Sequence, residues 1–140
     1  MRQMDNGNAS FTVEDFFRER KAEKERLYWY GAASFQREGK TVPIEIGQIG
    51  TEENERLREM HTDANGILHV GAYLCALVCA CVIFPDLKSE KLQDSWGVLG
   101  EEALIRKMLS AGEYFSLCSA VLEYNDFPDR LQKLYEQAKK

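Results

Sequence analysis

Cysteine and histidine are the residues of this chain best suited to chemistry, and their spacing limits what they can do. Three of the 4 cysteines, Cys75, Cys79 and Cys81, lie in one apolar run, and the other is Cys118. Thiolates joined by His61 and His69 would suit zinc, which takes four nitrogen or sulfur ligands. The common knuckle separates its two cysteines by two residues, and the pattern Cys-x3-Cys-x-Cys does not. Cys75 and Cys79 share a helix face, so two ligands are geometrically feasible. The apolar surroundings instead favour reduced, buried thiols, with neither metal nor disulfide.

Other chemistries find less support. A nucleophile needs an adjacent activating base, and neither of the 2 histidines sits in a recognisable turn motif such as G-x-S-x-G. The carboxylate pairs Glu52/Glu53 and Glu101/Glu102 each open an expected helix, where acids are favoured by the helix dipole alone. No G-x-x-x-x-G-K-[ST] phosphate cradle and no G-x-G-x-x-G is present. No cofactor and no catalytic residue is expected.

The elements that would carry these residues are mostly helical. Residues 1–10 are polar and read as a disordered tail. No apolar core follows Met1–Met4, so no signal peptide is expected. Thr12 caps a short helix start with Glu14 and Asp15 in its first turn, and Phe11, Phe16 and Phe17 can anchor it to a core or a partner. The run 18–26 alternates charge and reads as a solvated face or linker. Aromatic-rich Leu27–Phe35, a turn over Gln36–Lys40 with Gly39, and alternating Thr41–Ile46 predict a β-hairpin, with strands near Tyr28–Phe35 and Val42–Ile46. Pro43 cannot donate to a ladder, so the second strand should be an edge or turn Pro43 outward.

Helices follow. Thr51 caps one running to Met60, with Leu57 and Met60 as its apolar stripe. Gly71 or Ala72 to Ile83 forms the next, with Leu74, Leu77, Val78, Cys81 and Val82 at core spacing. Its other face, Tyr73, Ala76, Ala80 and Ile83, is apolar too, so that face is either buried or meets a partner. Ser89 caps a short helix that turns Leu92 and Trp96 inward and ends at Gly97. Glu101 opens a helix with Leu104, Ile105, Met108 and Leu109. After Gly112, a further helix presents Tyr114, Leu117, Cys118, Val121 and Leu122, and Asn125 ends it in the left-handed region. Pro128 starts a last helix with Leu131, Leu134 and Tyr135.

This predicts a mainly α (α+β) fold: five to six helices with one N-terminal β-hairpin. A tail over 1–10 would precede one domain over 11–140, made of an N-terminal helix and hairpin (11–50) and a helical core (51–140). A membrane span is not expected. The uncharged run Ile67–Phe84 holds Gly71 and His69 and stops at Pro85, leaving a helix about 18 Å long against a hydrocarbon core of about 30 Å. The net charge of −5 argues against a nucleic-acid footprint.

The order of the C-terminal pieces carries a family resemblance. Pro85-Asp-Leu-Lys88 precedes Leu92-Gln-Asp-Ser-Trp-Gly-Val98, then a helix ending Lys107-Met-Leu109, then Gly112-Glu-Tyr114 and an apolar helix. This resembles the XkdN-like tail assembly chaperones of contractile-tailed phages and prophages, closely over Leu74–Phe127 and loosely before it. Gly47-Gln-Ile-Gly50 stands where relatives carry a Pro-Leu-Thr-like helix start. The resemblance implies a non-enzymatic cytoplasmic protein that binds the tape measure protein before the tail tube polymerises around it, and that is absent from the finished virion. Trp96, an aromatic before Gly-Val as in the family, reads as a core anchor. Family members often make a longer form by ribosomal slippage, and Lys139-Lys140 would fit a slippery site or simply complement the last helix's dipole.

On this reading the contact residues are Phe11, Phe16, Phe17, Tyr73, Ala76, Ala80 and Ile83. The partner is the tape measure protein, with self-association as a further expectation. The alternative is a small cytoplasmic enzyme or adaptor domain without a visible catalytic motif.

Overall fold

The computed structural model describes residues 10–128 and 133. The tail, the last helix and the terminal lysines of the sequence reading lie largely outside them.

The order of elements follows the apolar pattern closely. Two single 3-10 turns, Val13–Phe16 and Arg18–Arg20, come first. Strand β1 (Leu27–Trp29), the short strands β2 (Gln36–Arg37) and β3 (Lys40–Thr41), and β4 (Ile44–Ile46) follow. Then come α1 (Thr51–Met60), α2 (Val70–Cys81), β5 (Val82–Phe84), α3 (Glu90–Trp96), α4 (Glu101–Met108) and α5 (Ala111–Tyr124). The fold is helix-rich α+β, with five α-helices among the described residues.

Helix α2 sits at the centre and packs against α1, α4, α5 and β5. Its residues from Tyr73 to Cys79, and Cys81, are all buried. Leu57 of α1, Ile44 and Ile46 of β4, Leu104 and Ile105 of α4, and Leu117, Val121 and Leu122 of α5 complete the core. The expected core residues Leu92, Trp96 and Met108 are half-buried against it. Trp96 meets Phe35 edge-on, with ring centroids 6.2 Å apart.

The sheet differs from the expected hairpin in two respects. β4 lies in the middle of an antiparallel sheet ordered β1-β4-β5, not at its edge. Pro43 stands just before β4, so its missing N–H removes no ladder bond. β5 occupies the positions expected to end the central helix. Val82 and Ile83 are β-branched, and Pro85 biases Phe84 toward extended backbone. The helix therefore stops at Cys81, and the next residues pair with Glu45 and Ile46 through a bulge. Between β1 and the β2–β3 hairpin the chain turns over Ala32–Phe35, where the Phe35 N–H donates to the Ala32 carbonyl at 3.0 Å; at Gly31, just before, the Trp29 indole lies 2.1 Å from the position a Cβ would take.

Helix ends account for the remaining differences. Gly50, not Thr51, precedes the first turn of α1. Met60 is exposed, with Arg56 Nη1 3.1 Å from its sulfur. Gly112 lies inside α5, because Ser110 and Glu113 form a capping box one turn earlier. Gly97 closes α3 in the left-handed region as expected, at φ 66°. Asn125 does not: its φ is −90°, and Asp126 takes the left-handed turn at φ 59°. The Asp126 and Phe127 N–H groups then donate to Glu123 and Leu122, a Schellman closure.

The reason lies in the Asn125 side chain, which is committed elsewhere. Its Oδ1 accepts from the Ile49 N–H at 3.0 Å, and its Nδ2 donates to the Val121 carbonyl at 3.0 Å and reaches the Gly47 carbonyl at 3.4 Å. It thereby fastens the loop after β4 to the end of α5. Asn125→Ala leaves the part-buried Ile49 N–H unpaired and should cost about 1–3 kcal/mol. Leu77→Ala at the centre of α2 should cost about 2–5 kcal/mol. Urea denaturation of the two variants checks both values.

Candidate partner-binding surface

All four cysteines are free and buried. Cys75 has Cys79 one turn along α2, with Arg106 of α4 and Tyr114 of α5 beside it. The Cys79 thiol holds the Cys75 pKa down, to about 6, with Tyr114 and Arg106 helping against burial. Cys79 is correspondingly pushed up by Cys75 and by burial. Cys81 rises to about 12 through desolvation, partly offset by the Asn125 amide. The Tyr114 hydroxyl is buried without a full hydrogen bond, near the Cys75 and Cys118 thiols. Cys75 is only 1% exposed, so a substrate has no approach to it.

Of the other candidates, His69 and Glu53 are engaged in structure. His69 Nε2 lies 3.0 Å from Asp63, whose carboxylate also accepts from the Ile67 and Asn65 N–H groups. These bonds hold the Asp63 pKa below the usual carboxylate range, the Ile67 N–H contributing most. Glu53 pairs with Arg56 at 2.7 Å. Among the described residues, no group of three or more His, Cys, Asp or Glu is arranged to hold a metal ion. No described helix is long and apolar enough to cross a membrane.

Exposed apolar side chains are present instead. Phe11 and Phe16 are 79% and 89% exposed, and Phe17 and Val13 are exposed with them. Their segment is nonetheless ordered locally. The Thr12 N–H donates to Asp15 at 2.8 Å, and Arg20 lies 3.3 Å from the same carboxylate. The following linker is stitched to the end of α5: Lys24 lies 4.2 Å above the Tyr124 ring and 3.6 Å from Asp126, and the Tyr124 hydroxyl donates to the Glu25 carbonyl.

The second expected patch divides. Tyr73 and Ala76 belong to the chain's own core, with the Tyr73 hydroxyl donating to Asn54 of α1. Ala80 and Ile83 are exposed. Sequence reasoning missed their neighbour Phe84, also exposed, and the edge strand that carries it. The signal was Val82-Ile-Phe84 followed at once by Pro85. Beside this strand lies a groove of about 230 Å³, lined by Phe35, Val42, Pro43, Phe84, Pro85 and Met108 among others, almost all apolar. Gln93 was also missed. It is buried near the start of the Leu92–Val98 motif, where Nε2 donates to the Leu87 carbonyl at 2.8 Å and Oε1 accepts from the Gly100 N–H at 3.0 Å.

A family model described as the phage XkdN-like tail assembly chaperone protein matches residues 13–139. The chain belongs to this family. It is 24% identical over 112 residues to the phage-like element PBSX protein XkdN of Bacillus subtilis (strain 168), covering 74% of this chain and 76% of that protein. It is likewise 24% identical over 112 residues to the uncharacterized protein YqbN of the same strain, covering 74% and 75%. The crystal structure of YqbN superposes with a TM-score of 0.77 at 18% identity, over 86% of this chain and 100% of that one, which shows the shared fold.

Burial predicts that the thiols of this XkdN-like protein are inert. Titration with an aromatic disulfide reagent should find no fast-reacting thiol in the native protein and 4 after denaturation. A thiol that reacts within seconds in the native protein would overturn this assignment.

Proposed function

We propose that this tail assembly chaperone binds the phage tape measure protein and keeps it soluble until the tail tube polymerises around it. The observation that carries the reading is the separation of two kinds of apolar surface. Helix α2 is enclosed by the chain itself, while Phe11, Phe16, Phe17, Ile83 and Phe84 stay exposed on a body of net charge −5. Exposed aromatics beyond what folding uses mark a contact surface. A long helical client with apolar stripes would be held by such side chains, and the excess acid keeps the complex soluble. Ala80 is exposed as well, whereas Tyr73 and Ala76 belong to the core.

The action is binding rather than catalysis. An enzyme would need convergent titratable groups in a pocket, and the groove beside β5 is lined by apolar side chains and Gln36. In this reading the protein works in the cytoplasm of the bacterial host and is left out of the finished virion.

Co-expression with the tape measure protein encoded downstream should raise the soluble yield of that protein, and the two should co-purify. Replacing part-exposed Ile83 and Phe84 by Ser should weaken co-purification about tenfold or more, the loss of one to two buried apolar side chains, while the protein still unfolds in one cooperative transition. Unchanged solubility together with no co-purification would dismiss the proposal.

A further inference from the structure

The loop between α1 and α2 carries a dipeptide that can react with itself. Asn65 and Gly66 are neighbours there, and both are exposed. The loop is a tight hairpin, bridged across by Thr62 and Leu68. Inside it the Asp63 N–H donates to the Ile67 carbonyl at 2.9 Å, and the Gly66 N–H donates to the Asp63 carbonyl at 2.9 Å. Gly66 sits at φ 80°, which glycine adopts without steric cost.

An asparagine amide carbon lies within reach of the backbone nitrogen that follows it, and a glycine nitrogen is the least hindered nucleophile for it. Gly66 meets that condition fully: nothing lies within 4 Å of the place a Cβ would occupy. The Asn65 side chain has no hydrogen-bond partner among the described residues. The other described asparagines differ on both counts. Asn54 and Asn125 precede Glu55 and Asp126, and their side chains are held by Tyr73 and by Ile49 and Val121.

We propose that Asn65-Gly66 is a site of spontaneous covalent modification, where the amide converts through a cyclic imide to isoaspartate and aspartate, and that the conversion unlatches the loop before α2. The Gly66 nitrogen attacks Asn65 Cγ and forms the new C–N bond. The Cγ–Nδ2 bond breaks, and the amide group leaves as ammonia with the proton that Gly66 gives up. Water then opens the ring. Attack at the side-chain carbonyl gives aspartate, and attack at the main-chain carbonyl gives isoaspartate, with one extra methylene in the backbone.

The fold restrains this reaction and is damaged by it. The Gly66 nitrogen is free to attack only when its bond to Asp63 opens, a local opening of the hairpin. The Asp63 carboxylate holds the hairpin shut: it accepts from the Asn65 N–H at 2.9 Å and the Ile67 N–H at 3.1 Å, and meets His69 Nε2 at 3.0 Å. An extra methylene at residue 65 puts the bonds between Asp63 and Ile67 out of register. The new carboxylate also stands near that of Asp63, and like charges repel. His69, the residue just before the first turn of α2, then loses its anchor. This inference does not depend on the tape measure reading, and its test uses the purified chain alone.

Peptide mapping by mass spectrometry during incubation at mildly alkaline pH is the measurement, with isoaspartate counted by enzymatic methyl transfer to it. Asn6-Gly7, outside the described residues, carries the same dipeptide and serves as the internal standard. The peptide holding Asn65 should gain the mass of an amide-to-acid conversion and accept methyl groups. Asp63→Ala, at an exposed position, should speed that conversion about fivefold, the equilibrium factor of one net hydrogen bond. The melting temperature of the native chain should fall as the Asn65 peptide converts, while Asn65→Gln, incubated alongside, should keep its own. An Asn65 peptide still intact once the Asn6 peptide has converted, no acceleration in Asp63→Ala, or an equal fall in melting temperature for the native chain and Asn65→Gln would each overturn the proposal.

Discussion

Helix α2 has almost no side that can face water, and the rest of the structure is arranged to cover it. Eight of its 12 residues are buried. A helix apolar all round is stable in a soluble protein only at the centre of a packed body. That need explains why α1, α4, α5 and β5 all contact α2. It also explains why chain on both sides of α2 contributes to one sheet, with β4 held between β1 and β5. Within this body the thiols are packing groups. Cys75, Cys79 and Cys81 fill positions where a larger side chain would have to displace its neighbours.

Polar side chains hold the cover in register. Asn125 ties the end of α5 to the loop after β4, Gln93 ties α3 to the turn before α4, and Tyr73 reaches Asn54 across the α1–α2 contact. Each satisfies polar groups that burial would otherwise strand, and a stranded group costs more than an ordinary hydrogen bond contributes. Enclosing α2 so completely also sets the limits of function. What is left for a partner is the outside: the aromatic arm, the β5 edge and the groove beside β5.

Much of this was legible from spacing and punctuation. Ser89, Gly97 and Glu101 set helix ends within a residue, because capping and left-handed closure are local. The stripes Leu74–Cys81 and Leu104–Leu109 identified the core, since helical period and burial go together. Strand β5 was not legible, because an apolar run after an apolar helix reads as more helix until the unpaired edge of β4 is known. The central place of β4 was hidden for the same reason. Asn125 was misplaced because a side chain's distant partners leave no trace in local sequence. The exposed apolar surface was half legible: phenylalanines among acids stood out in the arm, whereas the share of α2 kept for the core depended on which helices would surround it.

The exposed apolar surface therefore includes little of α2, and under the proposed function partner binding leaves the buried core closed. Hydrogen–deuterium exchange read by mass spectrometry, with and without the tape measure protein, tests this most directly. The expected result is that Val70–Cys81 is protected in the free protein and unchanged on binding, with new protection over residues 11–17 and 82–84. Rapid exchange of Val70–Cys81 in the free protein, suppressed only when the partner is present, would contradict it by showing that α2 opens to receive the partner.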